Sequence, residues 1–260
     1  MSRASASNPA VTGERVTTPA GGFNPTWQRH VAAYEQCASL LPDGRILDLG
    51  CGVGHSYHLL APRETVGVDI DPEALAGQER ETHVADMRQL PFPDHDFDGV
   101  LSVQSIEHVP DPERVLTEVH RVLRPEGTAV FVTPNRLTFA RPDEIIDPYH
   151  FVEYSAEELR RLCTGWFEAV ELRGLFGSGR YLELVVGERV KLDRLLGRDP
   201  LRLRRFVPRT VRQRLYDRLL SRNRRDQDPS AAAIGTGDFE LRDESLAESL
   251  DLVAICRRPR

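Results

Sequence analysis

The stretch ILDLGCGVGHS, starting at Ile46, limits the possible folds more than any other feature of the chain. A short apolar run without alternation marks a strand buried on both faces, the kind found in parallel sheets covered by helices. The glycines at 50, 52 and 54 then permit a tight turn and let backbone approach a ligand, because glycine has no Cβ in the way. In an open α/β sheet such a turn lies at the carboxyl ends of the strands, where ligands bind.

The flanking sequence repeats the alternation of strand and helix. WQRHVAAYEQCASLL puts Trp27, Val31, Tyr34, Ala38 and Leu41 at helical spacing ahead of the first strand. GVGHSYHLLA, PEALAGQER and DPERVLTEVHRVLRPEG read as helices, and ETVGVDID, THVAD, FDGVLSVQ and TAVFVTPN as strands two to five. SAEELRRLCTGW begins with a Ser N-cap and acids in its first turn, so it reads as a helix. FEAVELRGL and the closing SLDLVAICRRP complete seven strands. The expected fold is therefore α/β: a doubly wound, seven-stranded, mostly parallel sheet with a helical insertion near the C-terminus. Residues 1–22 are small and polar and read as a disordered tail. Residues 23–186 are expected to form the core with its N-terminal cap helix, 187–230 the insertion, and 231–260 the final strands.

Composition narrows the setting. At 40% hydrophobic and 28% charged, the chain has enough apolar material for a core and no run long enough to span a bilayer. The four cysteines, Cys37, Cys51, Cys163 and Cys256, form no CxxC pair or zinc spacing, so reduced thiols in the cytoplasm are expected. Cys51 stands where the loop needs a small residue and is not read as a nucleophile. The net charge of −6 hides a strong asymmetry: from Gly187 to Arg225 there are fourteen basic residues and four acidic ones. In VRQRLYDRLL, Val211, Leu215, Leu219 and Leu220 share one helical face. The segment reads as Arg-rich helices packed through leucine with a solvated basic face, and nucleic acid is not the expected partner. Peripheral contact with an anionic lipid surface stays open.

A glycine turn alone suits a dinucleotide or a methyl donor. Here the spacing is not GxGxxG, and Asp48 lies two residues before the first glycine, where it would repel a pyrophosphate and attract an ammonium. Asp69 ends the second strand, about where an acid grips a ribose diol. Asp86 ends the third, where a carboxylate suits an adenine amino group. A short-chain dehydrogenase would need Tyr four residues before Lys; the only lysine is Lys191, and position 187 is Gly.

DLGCGVG, VGVDID, ADMRQLPF and FDGVLSVQSIEHVPDPERVLTEVHRVLRPEGTAVFVTPN, in this order over roughly residues 44–175, resemble the class I S-adenosylmethionine-dependent methyltransferases, in particular their type-11 and ubiquinone-pathway-like groups. The resemblance implies seven strands with the last antiparallel, and S-adenosyl-L-methionine as cofactor. It further implies that Asp48 and Gly50 face the methionine portion, and that Cys51, Gly52 and Gly54 belong to the enclosing loop. Asp69, with Ile70 beside it, would hold the ribose hydroxyls, and Asp86 and Met87 the adenine. Ser102 and Gln104 would lie near the reactive methyl. The acceptor is expected to be a small molecule, methylated on a hydroxyl oxygen; an RNA or lipid-surface acceptor and a non-catalytic cofactor-binding module are the alternatives. SVQS ends the fourth strand in place of an NPPY-type motif, which argues against methylation of a flipped base.

For a hydroxyl acceptor the expected general bases are His108 and His150, with Tyr149, Tyr154, His30 and Tyr34 behind them. Gln104-Ser-Ile-Glu107-His108 also resembles the ExxEH metal motif of some O-methyltransferases. Gln104 replaces its first acid, so no metal is expected; Glu107, His108 and His150 are the residues that could form a partial site.

Overall fold

A computed structural model describes residues 24–139, 144–197, 199, 202–223 and 229–259. The expected disordered tail lies outside these residues. Among the described residues eight strands, numbered in chain order, form one sheet in the order β3-β2-β1-β4-β5-β8-β6-β7. Strands β1 (Arg45–Leu49), β2 (Glu64–Asp69), β3 (Glu81–Val84), β4 (Phe97–Val103) and β5 (Leu123–Pro134) are parallel to one another. The chain then turns back: β8 (Asp251–Pro259) lies antiparallel between β5 and β6 (Phe167–Gly177).

Both faces of the sheet are covered, which is why the strands read as unbroken apolar runs. Along β8, Leu252, Ala254 and Cys256 enter one core cluster while Val253 and Ile255 enter the other, as strand alternation requires. The first cluster takes in Val115, Leu116 and Val119 of α3 (Pro112–Val122) and Leu159 of α5 (Ala156–Thr164). The second takes in Ala32, Ala33, Tyr34 and Cys37 of α1 (Asn24–Ala38), the cap helix. Ser155 starts α5 with a capping box: it accepts from the Glu158 N–H, and the Glu158 carboxylate accepts from its own N–H.

Three expectations are corrected. The sheet has eight strands, because Phe239–Arg242 adds β7 at the edge, antiparallel to β6. The helix expected after the glycine loop is a single 3₁₀ turn, Tyr57–Leu60; the glycines before it and Pro62 after it leave too few residues to nucleate an α-helix. PEALAGQER likewise holds only one turn, α2 (Pro72–Leu75), ended by Gly77 at φ +81°. A short α4 (Arg136–Phe139) follows β5. The insertion enters directly from β6 with α6 (Gly179–Leu196), upstream of residue 187, and continues with α7 (Arg209–Asn223).

Candidate active site

A cleft of about 400 Å³ opens at the carboxyl ends of β1, β2 and β4. Its floor is the glycine loop. The N–H groups of Gly50 and Cys51 both donate to the Val68 carbonyl, which ties the turn to β2. Gly50 has φ +74°, and a Cβ there would stand 2.5 Å from the Ser105 Cβ, so only glycine fits.

The Asp69 carboxylate accepts from the Gly52 N–H and from the Asp71 N–H, both at 2.9 Å, and thereby joins the end of β2 to the loop. Ile70, 66% exposed, stands beside it on the cleft. On the next strand end, Asp86 is paired with Arg88 at 2.6 Å. The hydrogen bond to Arg88 holds its carboxyl below the ordinary range. Met87 lines the same cleft.

Of the residues singled out by sequence, Gly50, Cys51, Gly52, Asp69, Ile70, Asp86, Met87, Gln104, His108, His30 and Tyr34 line the cleft. Asp48, Gly54, Ser102, Glu107, Tyr149, His150 and Tyr154 do not. Asp48 is fully buried behind the loop, where its carboxylate accepts from the Tyr34 hydroxyl and from Arg80, each at 2.7 Å. Gly54, at φ +64°, packs against the Gln78 amide. Ser102 is buried and shares a hydrogen bond of 2.5 Å with Ser105. Cys51 is not poised as a nucleophile: burial, with Asp48 nearby, pushes its thiol pKa up, away from the thiolate.

The loop is propped by side chains that no local motif announces. Arg80 donates Nε to Gln78 and lies over the Tyr57 ring, and Gln78 Nε2 donates to the Gly52 carbonyl at 2.9 Å. Tyr34, Asp48, Arg80 and Gln78 thus form one chain of contacts from the cap helix to the backbone of Gly52. The cap helix is tied down a second time: Arg29 and Gln104 both donate to Asp251, the first residue of β8. Gln104 holds φ +52° at the end of β4, and its amide is turned to Asp251.

His108 lines the cleft opposite the loop, and its Nδ1 lies 3.2 Å from the Tyr149 carbonyl. Only a protonated Nδ1 can donate to a carbonyl, so this contact selects the tautomer whose Nε2 is basic. His150 lies behind it, with ring centroids 5.0 Å apart, and its Nδ1 is 2.9 Å from Glu153. Burial disfavours the charged form of His150, but the Glu153 hydrogen bond and the field of Glu107 outweigh it and raise its pKa. Burial pushes Glu107 up to about 7. Thr133 donates to one Glu107 oxygen; among the described residues the other, Oε1, meets no donor, nor does Oε2 of buried Glu153. Glu107, His108 and His150 each bring one ligand atom within 4.8 Å of the others. Tyr154 is buried, and its hydroxyl has no partner among the described residues. Tyr149 contributes its carbonyl, while Phe151, which sequence reading passed over beside His150, lines the cleft.

Comparison with known proteins agrees with this geometry. Residues 47–131 match a family model described as a methyltransferase domain. The chain is 32% identical over 261 residues, 96% of its own length and 95% of the relative's, to a Mycolicibacterium smegmatis protein named a probable S-adenosylmethionine-dependent methyltransferase. A Mycobacterium tuberculosis protein with the same description is 32% identical over 98% of this chain and 93% of its own. In fold it is similar to a methyltransferase of Thermotoga maritima described as a possible histamine N-methyltransferase, with TM-score 0.60 and 17% identity over 91% of this chain and 92% of the other. The chain belongs to the class I S-adenosylmethionine-dependent methyltransferases, and S-adenosyl-L-methionine is its cofactor. The residues present suit that group: positive-φ glycines leave backbone uncovered, one carboxylate stands at each of two neighbouring strand ends, and apolar Ile70, Met87 and Val109 share the cleft.

Proposed function

We propose that this enzyme methylates a hydroxyl oxygen of a small-molecule acceptor, with His108 as general base. The observation that carries the reading is His108 itself, on the wall of the cofactor cleft and held by the Tyr149 carbonyl in the tautomer a base requires. Asp69 and Ile70 would hold the ribose end of the cofactor, Asp86 and Met87 the adenine, and Gly50, Cys51 and Gly52 the methionine end. Asp48, Gly54 and Ser102 act from behind, by fixing the loop and the end of β4.

The cofactor supplies a methyl group already activated on a sulfonium. What remains for the protein is to align the acceptor, exclude water and receive a proton. His30 and Tyr34 on α1 wall the cleft and shield it from solvent. Nε2 of His108 takes the hydroxyl proton as the oxygen becomes nucleophilic. His150, hydrogen-bonded to Glu153, packs against the His108 ring and keeps its orientation.

The test is turnover on a panel of hydroxyl acceptors with His108→Gln. A kcat lower by about 10²–10⁴-fold with unchanged cofactor affinity is expected. Unchanged kcat would remove His108 from the chemistry. A second reading rests on the proximity of Glu107, His108 and His150: a divalent ion there would polarise the acceptor oxygen. Turnover that survives chelation supports the base, and turnover restored by added Mg²⁺ or Mn²⁺ supports the ion.

A further inference from the structure

The insertion carries a surface that the cleft does not use. Its sequence from Gly187 to Arg225 holds fourteen basic residues against four acidic ones. The apolar side chains that sequence placed on an inward, leucine-packed face are, where described, outside. On α7, Val211 is 42% and Leu215 56% exposed; in the 3₁₀ turn before it, Leu203 is 59% and Phe206 85% exposed. Val211, Arg214, Leu215 and Arg218 recur at helical spacing and are all exposed. One stripe of α7 therefore mixes apolar groups with guanidinium groups.

That mixture selects among partners. A nucleic acid would take the arginines at its phosphates and could stack a base on Phe206, but it would leave aliphatic Leu203, Val211 and Leu215 without a partner. A solvated face calls for none of these apolar groups. An anionic bilayer takes both: headgroups meet the guanidinium groups while apolar side chains enter the boundary with the acyl chains. The opposite face of α7 is joined to the acceptor side of the cleft. Arg209 donates Nε to the Pro148 carbonyl and Nη2 to the Tyr149 carbonyl, both at 2.7 Å, and lies 3.5 Å from the Phe151 ring centre. Tyr216 donates to Asp147 at 3.0 Å. The Tyr149 carbonyl that receives Arg209 is the one that orients His108.

We propose that α7 and the 3₁₀ turn before it, Leu203–Phe206, dock the enzyme on an anionic phospholipid bilayer. The docking surface stands on exposure and charge and does not depend on which acceptor atom is methylated.

The experiment is cosedimentation of the full chain with vesicles of phosphatidylcholine alone, or with about one-third phosphatidylglycerol, at about 0.1 M salt. Two double variants are compared, Phe206→Ser with Leu215→Ser and Arg214→Gln with Arg218→Gln. S-adenosylmethionine binding, measured alongside, reports that each variant is folded. Binding to the anionic vesicles alone, weakened at least about tenfold in both variants while cofactor binding persists, is the expected result. Four results would overturn the proposal: no binding to either vesicle, equal binding to both, an RNA oligonucleotide bound while vesicles are not, or self-association in solution that the same variants abolish in place of vesicle binding.

Discussion

The two halves of the cleft are built differently. The cofactor half is tied down by buried polar contacts: Asp48 is held by Tyr34 and Arg80, Gln78 by Arg80, and Gly52 by both Gln78 and Asp69. The other half, where we place the acceptor, is bounded by residues 144–151, which lie between His108 and α7 and contact Arg209 and Tyr216. The contrast teaches that the cofactor is common to a large family and its cradle can be rigid. The other half carries arginine and exposed apolar groups instead.

The largest effect should come from breaking the rigid half. Arg80 and Asp48 form an ion pair at 2.7 Å, with side chains 4% and 1% exposed. Arg80→Met leaves a buried carboxylate without its cation and is expected to cost about 3–5 kcal/mol in chemical denaturation. Adding Asp48→Asn should return part of that loss; a single variant as stable as the wild type would mean the network does not hold the loop.

Acid should loosen the same region at the cap helix. Burial, with His30 and His58 nearby, lowers His55 from 6.5 to about 3, and its ring packs on Trp27 at 4.4 Å. Because the folded pKa is depressed, the unfolded chain binds the proton first. The contribution of His55 is present above pH 6.5 and is lost progressively as pH falls toward about 3. His55→Phe should flatten the acid-side slope in melts taken across that range; an unchanged slope would assign it to other groups.

A smaller effect is expected at Gly54. Its φ of +64° costs an L-residue about 1–2 kcal/mol, and an added Cβ would also displace the Gln78 amide that holds the Gly52 carbonyl, so Gly54→Ala should lower stability by at least about that amount. The smallest lies in the insertion: Arg218 is exposed, and Arg218→Ala should change stability by less than about 0.5 kcal/mol. A large loss there would mean that the exposed stripe of α7 is packed as well, which removes the contrast between the halves.

Much of the cofactor half was legible because its signals are local. An apolar run, three glycines and two strand-ending acids each occupy a few consecutive residues, and the sheet places them together. What sequence missed depends on contacts between distant segments. Arg80 follows Asp48 by 32 positions, and no pattern of spacing marks it as that carboxylate's partner. Asp48 looked like a cleft residue because its neighbours are, but strand alternation puts its side chain behind the loop. The helix expected at GVGHSYHLLA failed because glycine conformations prevail over the apolar residues that follow. At Val211 and Leu215 helical spacing was read correctly, yet spacing shows only that apolar residues share a face, not whether anything covers it.

The central claim is that the cleft above the glycine loop holds S-adenosylmethionine through Asp69. Calorimetry of cofactor binding to the wild type and to Asp69→Asn tests it most directly. The account predicts saturable binding by the wild type and an affinity lower by about 10–100-fold in the variant, the loss of a hydrogen bond to a charged acceptor. Equal affinity in the two proteins, or no binding by a folded wild type, would contradict it.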